Sequence, residues 1–243
     1  MSKNNILVFQ HIEQEGLENI KDFFPASKYK FTIIKLFKNQ EIPQNLENFS
    51  MMIVLGGPMD TWMERDYPWL VNEKNSIRRF VLDLKKPFLG ICLGCQLLGE
   101  ILGARILKSK KTEIGFNKVK SNKIINKDKI FKYLPKEFEV FQWHSYEVNK
   151  IKNNNFKVLV SSKTTNVQLF KYKEHAYGMQ FHLEIKEDTI EKWCKISSYK
   201  KNLEEHLNIK ELAMLKKTPK FKFKKIHILC KSFVKNFSDF IKT

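Results

Sequence analysis

The chain has 243 residues, with 44 lysines and arginines against 26 aspartates and glutamates, a formal net charge of +18. A chain this long buries roughly 70% of its extended surface on folding, and its four cysteines (Cys92, Cys95, Cys194, Cys230) are too few for a disulfide scaffold; a reducing, cytoplasmic setting fits. The positive charge invites nucleic-acid binding, but only Arg65, Arg78, Arg79 and Arg105 are arginine, specific readout leans on arginine, and scattered Lys with abundant Asn and Ile reads as an A+T-rich coding sequence.

Residues 1–11 contain no long apolar run, which argues against a signal peptide or a membrane span. Ile6 to Phe9 reads as an apolar strand. Leu17, Ile20, Phe23 and Phe24 recur at helical spacing. Phe31 to Leu36 and Met51 to Leu55 read as strands, the second ending in Gly56-Gly57-Pro58. Trp69, Ile77, Phe80, Val81 and Leu84 line one face of a helix that stops before Pro87. Phe88 to Ile91 is a strand that runs into Cys92. Leu93 to Leu102 is a helix, with Gly99 and Gly103 allowing close packing. This alternation predicts a parallel sheet covered on both faces.

The texture then changes. Short strand candidates follow at Ile106–Leu107, Ile114–Val119, Phe138–Gln142, Phe156–Val160, Val167–Phe170 and Tyr177–Phe181. They predict a more antiparallel annex whose last strand returns to the main sheet. From Glu187 onward the pattern is helical and lysine-rich. The stretch Lys216 to Lys225 interleaves Lys and Phe, and is read as a solvated tail with two docked rings. The expected organisation is one unit over residues 1–190, with a helical extension over 191–243 packed on it.

Three separated pieces carry chemistry. Cys92 stands between a strand and a helix, with Gly90 and Gly94 to relieve crowding at a sharp turn. A helix N-terminus favours the thiolate, which is the nucleophile. At Gly56-Gly57-Pro58 bare backbone can approach a ligand closely. His182 and Glu184 are two residues apart, so in an extended chain they project to the same side. A thiol, an imidazole and a carboxylate make a nucleophile, a base and its orienter. Other readings stay open. Cys92 and Cys95 form a C-x-x-C that suits a redox pair or half a zinc site, although Cys194 and Cys230 are single. His11 and His144 have structural roles as alternatives, and packing is the default for Trp62, Trp69 and Trp193.

Gly90-Ile91-Cys92-Leu93-Gly94-Cys95-Gln96, Gly56-Gly57-Pro58 and Gln180-Phe181-His182-Leu183-Glu184 together resemble the class I (triad-type) glutamine amidotransferases. The resemblance extends to Gln10-His11, Glu15-Gly16, Met59-Asp60, Tyr67-Pro68-Trp69-Leu70, Glu113-Ile114-Gly115-Phe116 and Gln142-Trp143-His144. The pattern is nearest to stand-alone, GMP-synthetase-like members. It implies a flavodoxin-like α/β fold: a central, mostly parallel sheet flanked by helices, with a small antiparallel annex and a helical C-terminal extension. It also implies that Cys92 attacks the glutamine side-chain amide and that backbone N–H groups of Gly57 and Leu93 hold the oxyanion. His182 and Glu184 complete the triad. Gln96 and Gly56 would contact substrate, and Trp143, His144, Ser145 and Tyr146 would form a loop around its α-amino and α-carboxylate groups. No cofactor and no metal are implied. The expected small-molecule partner is glutamine or another γ-glutamyl compound. The chain shows no S-G-G-x-D-S-type or P-loop phosphate motif, so either a separate synthetase receives the ammonia or the protein hydrolyses a free γ-glutamyl compound. Idle catalytic residues in a basic binding module are the remaining alternative.

Overall fold

The computed structural model describes residues 3–149 and 151–241. The first two positions of the N-terminal stretch and the last two of the expected tail lie outside the described residues. The first half alternates as predicted: β1 (Asn4–Gln10), α1 (Glu18–Phe23), β2 (Tyr29–Lys35), β3 (Met51–Val54), α2 (Trp69–Arg78), β4 (Phe88–Ile91) and α3 (Leu93–Ile101). The helix expected to run on to Leu84 is α2 followed by a π-helical turn at Arg79–Asp83. That turn keeps Phe80 and Val81 buried beside Ile77. Gly99 packs closely, since a Cβ there would stand 2.7 Å from Val148. Gly103 does not: nothing lies within 4 Å, and its φ of +89° ends α3 in the left-handed region.

The second half comprises β5 (Ile106–Ser121), β6 (Glu137–Val148), β7 (Phe156–Ser161), β8 (Leu169–Tyr172) and β9 (Ala176–Met179), then α4 (Thr189–Cys194), α5 (Ser197–His206), α6 (Ile209–Lys216) and α7 (Lys220–Phe240). The two short strands expected near 106 and 114 are one strand whose register with β6 shifts between Lys108 and Glu113.

Among the described residues, nine strands form one sheet in the order β2-β1-β3-β4-β9-β8-β7-β5-β6. Pairs from β2 through β9 are parallel; the rest are antiparallel. The expected antiparallel annex is thus continuous with the parallel half; its last strand, β9, returns to the main sheet as predicted, and the partner it takes there is β4. Each face of the sheet has its own core. Ile6 and Val8 of β1 point into one, Leu7 and Phe9 into the other, as the two-residue period of a strand requires. β3 and β4 are buried along their whole length, which their near-continuous apolar runs anticipate.

The tail joins the first of these cores. Phe223, Ile226, Cys230, Phe233, Val234 and Phe237 of α7 are buried at the three- and four-residue spacing of one helix face. Tyr29 donates through its hydroxyl to the Ser238 carbonyl at 2.7 Å. The lysine-phenylalanine stretch therefore spans the end of α6 and the start of α7, and one of its rings docks, not two. Phe223 is buried, while Phe221, two residues earlier and across the helix, is 53% exposed. Among the described residues, no helix is long and apolar enough to cross a membrane.

Candidate active site

β4 delivers Cys92 to the N-terminus of α3 in a strained conformation, φ +49° and ψ −101°. Such a conformation costs of order 1–3 kcal/mol for a non-glycine residue. Glycine on either side makes the turn possible. A Cβ at Gly90 would collide with the Gly94 carbonyl, and one at Gly94 with the Val54 carbonyl of β3. The Cys92 N–H donates to the Met179 carbonyl at 2.8 Å, which ties the elbow to the end of β9. Cys95, one turn on, packs in the other core. Burial pushes its thiol well above the ordinary range, and both cysteines are free.

His182 follows β9 closely, its N–H donating to the Phe141 carbonyl at 2.8 Å. Its ring stands edge-on to Trp193, with centroids 4.9 Å apart. Nδ1 lies 2.5 Å from Glu184 Oε1; the carboxylate accepts, so Nδ1 donates. Nε2 is buried without a conventional hydrogen bond to the protein. A Cβ at Gly56 would lie 3.3 Å from His182 Cε1 and 3.5 Å from Cys92 Cβ, so ring and thiol are neighbours. Burial disfavours the charged imidazole, but Glu184 and Cys92 outweigh it and hold His182 well above its ordinary range.

A cavity of about 210 Å³ opens beside the thiol. Its wall includes Gly57, Pro58, Met59, Asp60, Cys92, Leu93, Gln96 and residues 143–146. The expected Gln96, Trp143, His144, Ser145 and Tyr146 are thus gathered at one place. Gly56 is not part of that wall; its carbonyl lies 2.8 Å from His11 Nδ1. The Trp143–Tyr146 stretch is not a loop. It lies in β6, paired with β5 on both sides of the register shift, Glu113 opposite His144. The His144 ring turns away to interior partners: Nδ1 is 3.0 Å from the Tyr146 carbonyl and Nε2 is 3.1 Å from Glu113 Oε2. Burial raises the affinity of Glu113 for a proton. The His144 ring beside it and hydrogen bonds from Thr164 and Thr165 reverse this and bring its pKa down to about 2.

Several residues here were not expected. Gln180 sits 3.7 Å from Cys92 Sγ through Nε2, and its Oε1 accepts from Gln96 Nε2 at 3.3 Å. The signal was present, because Gln180, His182 and Glu184 share the two-residue register of an extended chain. Glu15, in the loop after β1, accepts from the Tyr199 hydroxyl. Burial pushes its carboxyl above the ordinary range, against the pull of His182 and Tyr199. From α5, Ser198, Tyr199 and Asn202 close the cavity, and Asn202 Nδ2 donates to Ser145 Oγ at 3.2 Å.

The family model for "Glutamine amidotransferase class-I" matches residues 13–193, about three quarters of the chain. The chain belongs to the class-I glutamine amidotransferases. A subunit of the glutamine-hydrolyzing GMP synthase from Pyrococcus abyssi is 35% identical over 116 residues, covering 45% of this chain and 60% of that protein. The putative glutamine amidotransferase-like protein YfeJ of Salmonella typhimurium is 27% identical over 172 residues, 67% of this chain and 68% of its own. A crystal structure of a glutamine amidotransferase from Thermotoga maritima superposes with a TM-score of 0.83 at 28% identity, covering 98% of this chain and all of that one. In this amidotransferase the family match stops at Trp193, so the α5 wall of the cavity comes from beyond the matched segment.

Proposed function

We propose that this class-I amidotransferase hydrolyses the side-chain amide of glutamine through a γ-glutamyl thioester on Cys92. The observation that carries the reading is the 2.5 Å contact of His182 Nδ1 with Glu184, beside a thiol on a strained elbow. The thiol proton passes to His182 Nε2, and the sulfur attacks the amide carbon. Backbone N–H groups of Gly57 and Leu93 hold the oxyanion. As the C–N bond breaks, His182 gives its proton to the departing ammonia. It then takes a proton from water, which attacks the thioester and releases glutamate with the thiol restored. Glu184 keeps Nε2 aimed at the sulfur and stabilises the imidazolium.

Gln96 and residues 143–146 form the substrate wall in this reading, with Gly56 behind it. A cavity near 210 Å³ is below the roughly 300–1,000 Å³ of drug-sized sites and suits a free amino acid. That favours glutamine over a γ-glutamyl compound with a bulky leaving group. Residues 1–190 would supply the chemistry, and the 191–243 extension would belong to the same body through α5 and α7. Ammonia would go to a separate synthetase in the cytoplasm.

The test is glutamate release from glutamine, with a panel of γ-glutamyl amines beside it. Wild type should release glutamate from glutamine, and Cys92→Ala should lose at least about 10³-fold of that rate. Equal rates in the two proteins would sink the reading. Turnover of the amines and not of glutamine would make the protein a γ-glutamyl hydrolase instead.

A further inference from the structure

Behind the cavity runs a buried chain, Glu73–His11–Gly56, that the steps above do not use. We infer that His11, braced by Glu73, is the positioning residue that keeps the Gly56–Gly57 peptide turned with its N–H toward the oxyanion. The inference rests on the reading of Gly57 as an oxyanion donor.

His11 and Glu73 are both fully buried, with His11 Nε2 2.8 Å from Glu73 Oε1 and Nδ1 2.8 Å from the Gly56 carbonyl oxygen. A carbonyl and a carboxylate both accept, so both ring nitrogens carry hydrogen. The ring leans on Trp69, with centroids 5.5 Å apart. Trp69 and Glu73 are one turn apart on α2, so a single helix aims the imidazole.

The consequence for the hole follows from peptide geometry. No cis peptide bond occurs among the described residues. In a planar trans unit the carbonyl and the following N–H point in opposite directions. Holding the Gly56 oxygen toward His11 therefore turns the Gly57 N–H away from His11. Gly57 lines the cavity with Cys92 and Leu93, and His11 is not among the residues of that wall.

The glycine pair explains why such a brace is needed. A Cβ at Gly56 would collide with the Glu15 carboxylate, and one at Gly57 would stand 2.7 Å from Met59 Sδ and 2.9 Å from His11 Cβ. Glycine at both positions leaves room for these side chains, and it lets the peptide between them rotate at little steric cost. A rotated peptide would aim a carbonyl oxygen at the developing oxyanion. The hydrogen bond from His11 removes that freedom.

The test uses the full chain. His11→Phe keeps a ring against Trp69 and loses both hydrogen bonds. Glu73→Gln keeps a partner for the ring. Glutamine turnover is read beside alkylation of Cys92 by iodoacetamide, which needs the thiolate and no oxyanion donor. His11→Phe should lower kcat about 10²–10³-fold, as removal of one oxyanion donor does. Its KM and alkylation rate should stay within about threefold of wild type, and its crystal structure should have the 56–57 peptide rotated. Glu73→Gln should keep kcat within about fivefold. A wild-type kcat in His11→Phe, or kcat and alkylation falling together, overturns the inference, as does an unrotated peptide. If His11→Phe does not fold, Glu73→Leu against Glu73→Gln carries the same test, and equal kcat in that pair overturns it. Cys92→Ala run in parallel separates the two failures. Turnover that does not need Cys92 defeats the amidotransferase reading; turnover that needs Cys92 but not His11 defeats only the role of His11.

Discussion

Glu113 is the residue whose surroundings make the clearest demand on pH. Its carboxylate accepts from Thr164 at 2.6 Å, from Thr165 at 2.9 Å and from Gln168 at 2.7 Å, and it lies beside His144 on the cavity strand. The folded pKa of about 2 lies below the ordinary 4.5. The unfolded chain therefore binds the proton more readily, and stability from this group is full above about pH 4.5 and lost as pH falls toward 2. Glu113→Gln should cost about 2 kcal/mol at neutral pH, and urea melts between pH 5 and 3 should show a shallower acid loss than wild type. An identical acid slope in the two proteins would contradict this account of the network. At this scale the sequence is legible where chemistry is local. The Cys92 elbow with its glycines and the His182–Glu184 register can be read from neighbours in the chain. His11–Glu73 and Glu15–Tyr199 cannot, because 62 and 184 residues separate the partners, and no local pattern records a pairing made by the fold.

Among the elements, α7 gives the sharpest contrast between its two faces. Phe237 is fully buried, packed against the Tyr177 ring at 5.4 Å, whereas Phe221 is 53% exposed. Phe237→Ala should cost about 3–5 kcal/mol, a fall in Tm on the order of 10 °C for a chain of this size. Phe221→Ala should stay within about 0.5 kcal/mol. Thermal melts of the two variants check this, and similar losses would mean that α7 is seated otherwise. Strands β1, β3 and β4 were legible because each carries a short, buried apolar run. β6 was not, beyond Gln142. Its last residues, Trp143 to Val148, mix rings and polar groups because one edge faces the cavity and the other a buried carboxylate. The pairing with β5 holds them extended.

For the whole molecule, the tail is as much a part of the interior as the strands it covers. A chain cut after Thr218 would lose α7 and expose the core face that its six buried apolar side chains seal. It should lose the single cooperative urea transition of the full chain; a sharp transition kept at the wild-type midpoint would refute this. The sheet order adds a constraint in time. β4 ends at Ile91 and β9 begins at Ala176, yet the two lie side by side, Ile91 opposite Met179. Until β9 has been synthesised, the strand that leads to Cys92 is an open edge. When it docks, the same pairing brings His182, three residues past Met179, to the thiol. During synthesis on the ribosome, Cys92 thus waits without its proposed base while the intervening chain emerges. On the proposed reaction, closure of the sheet and arming of the nucleophile are one event, and the unfinished protein would release no ammonia.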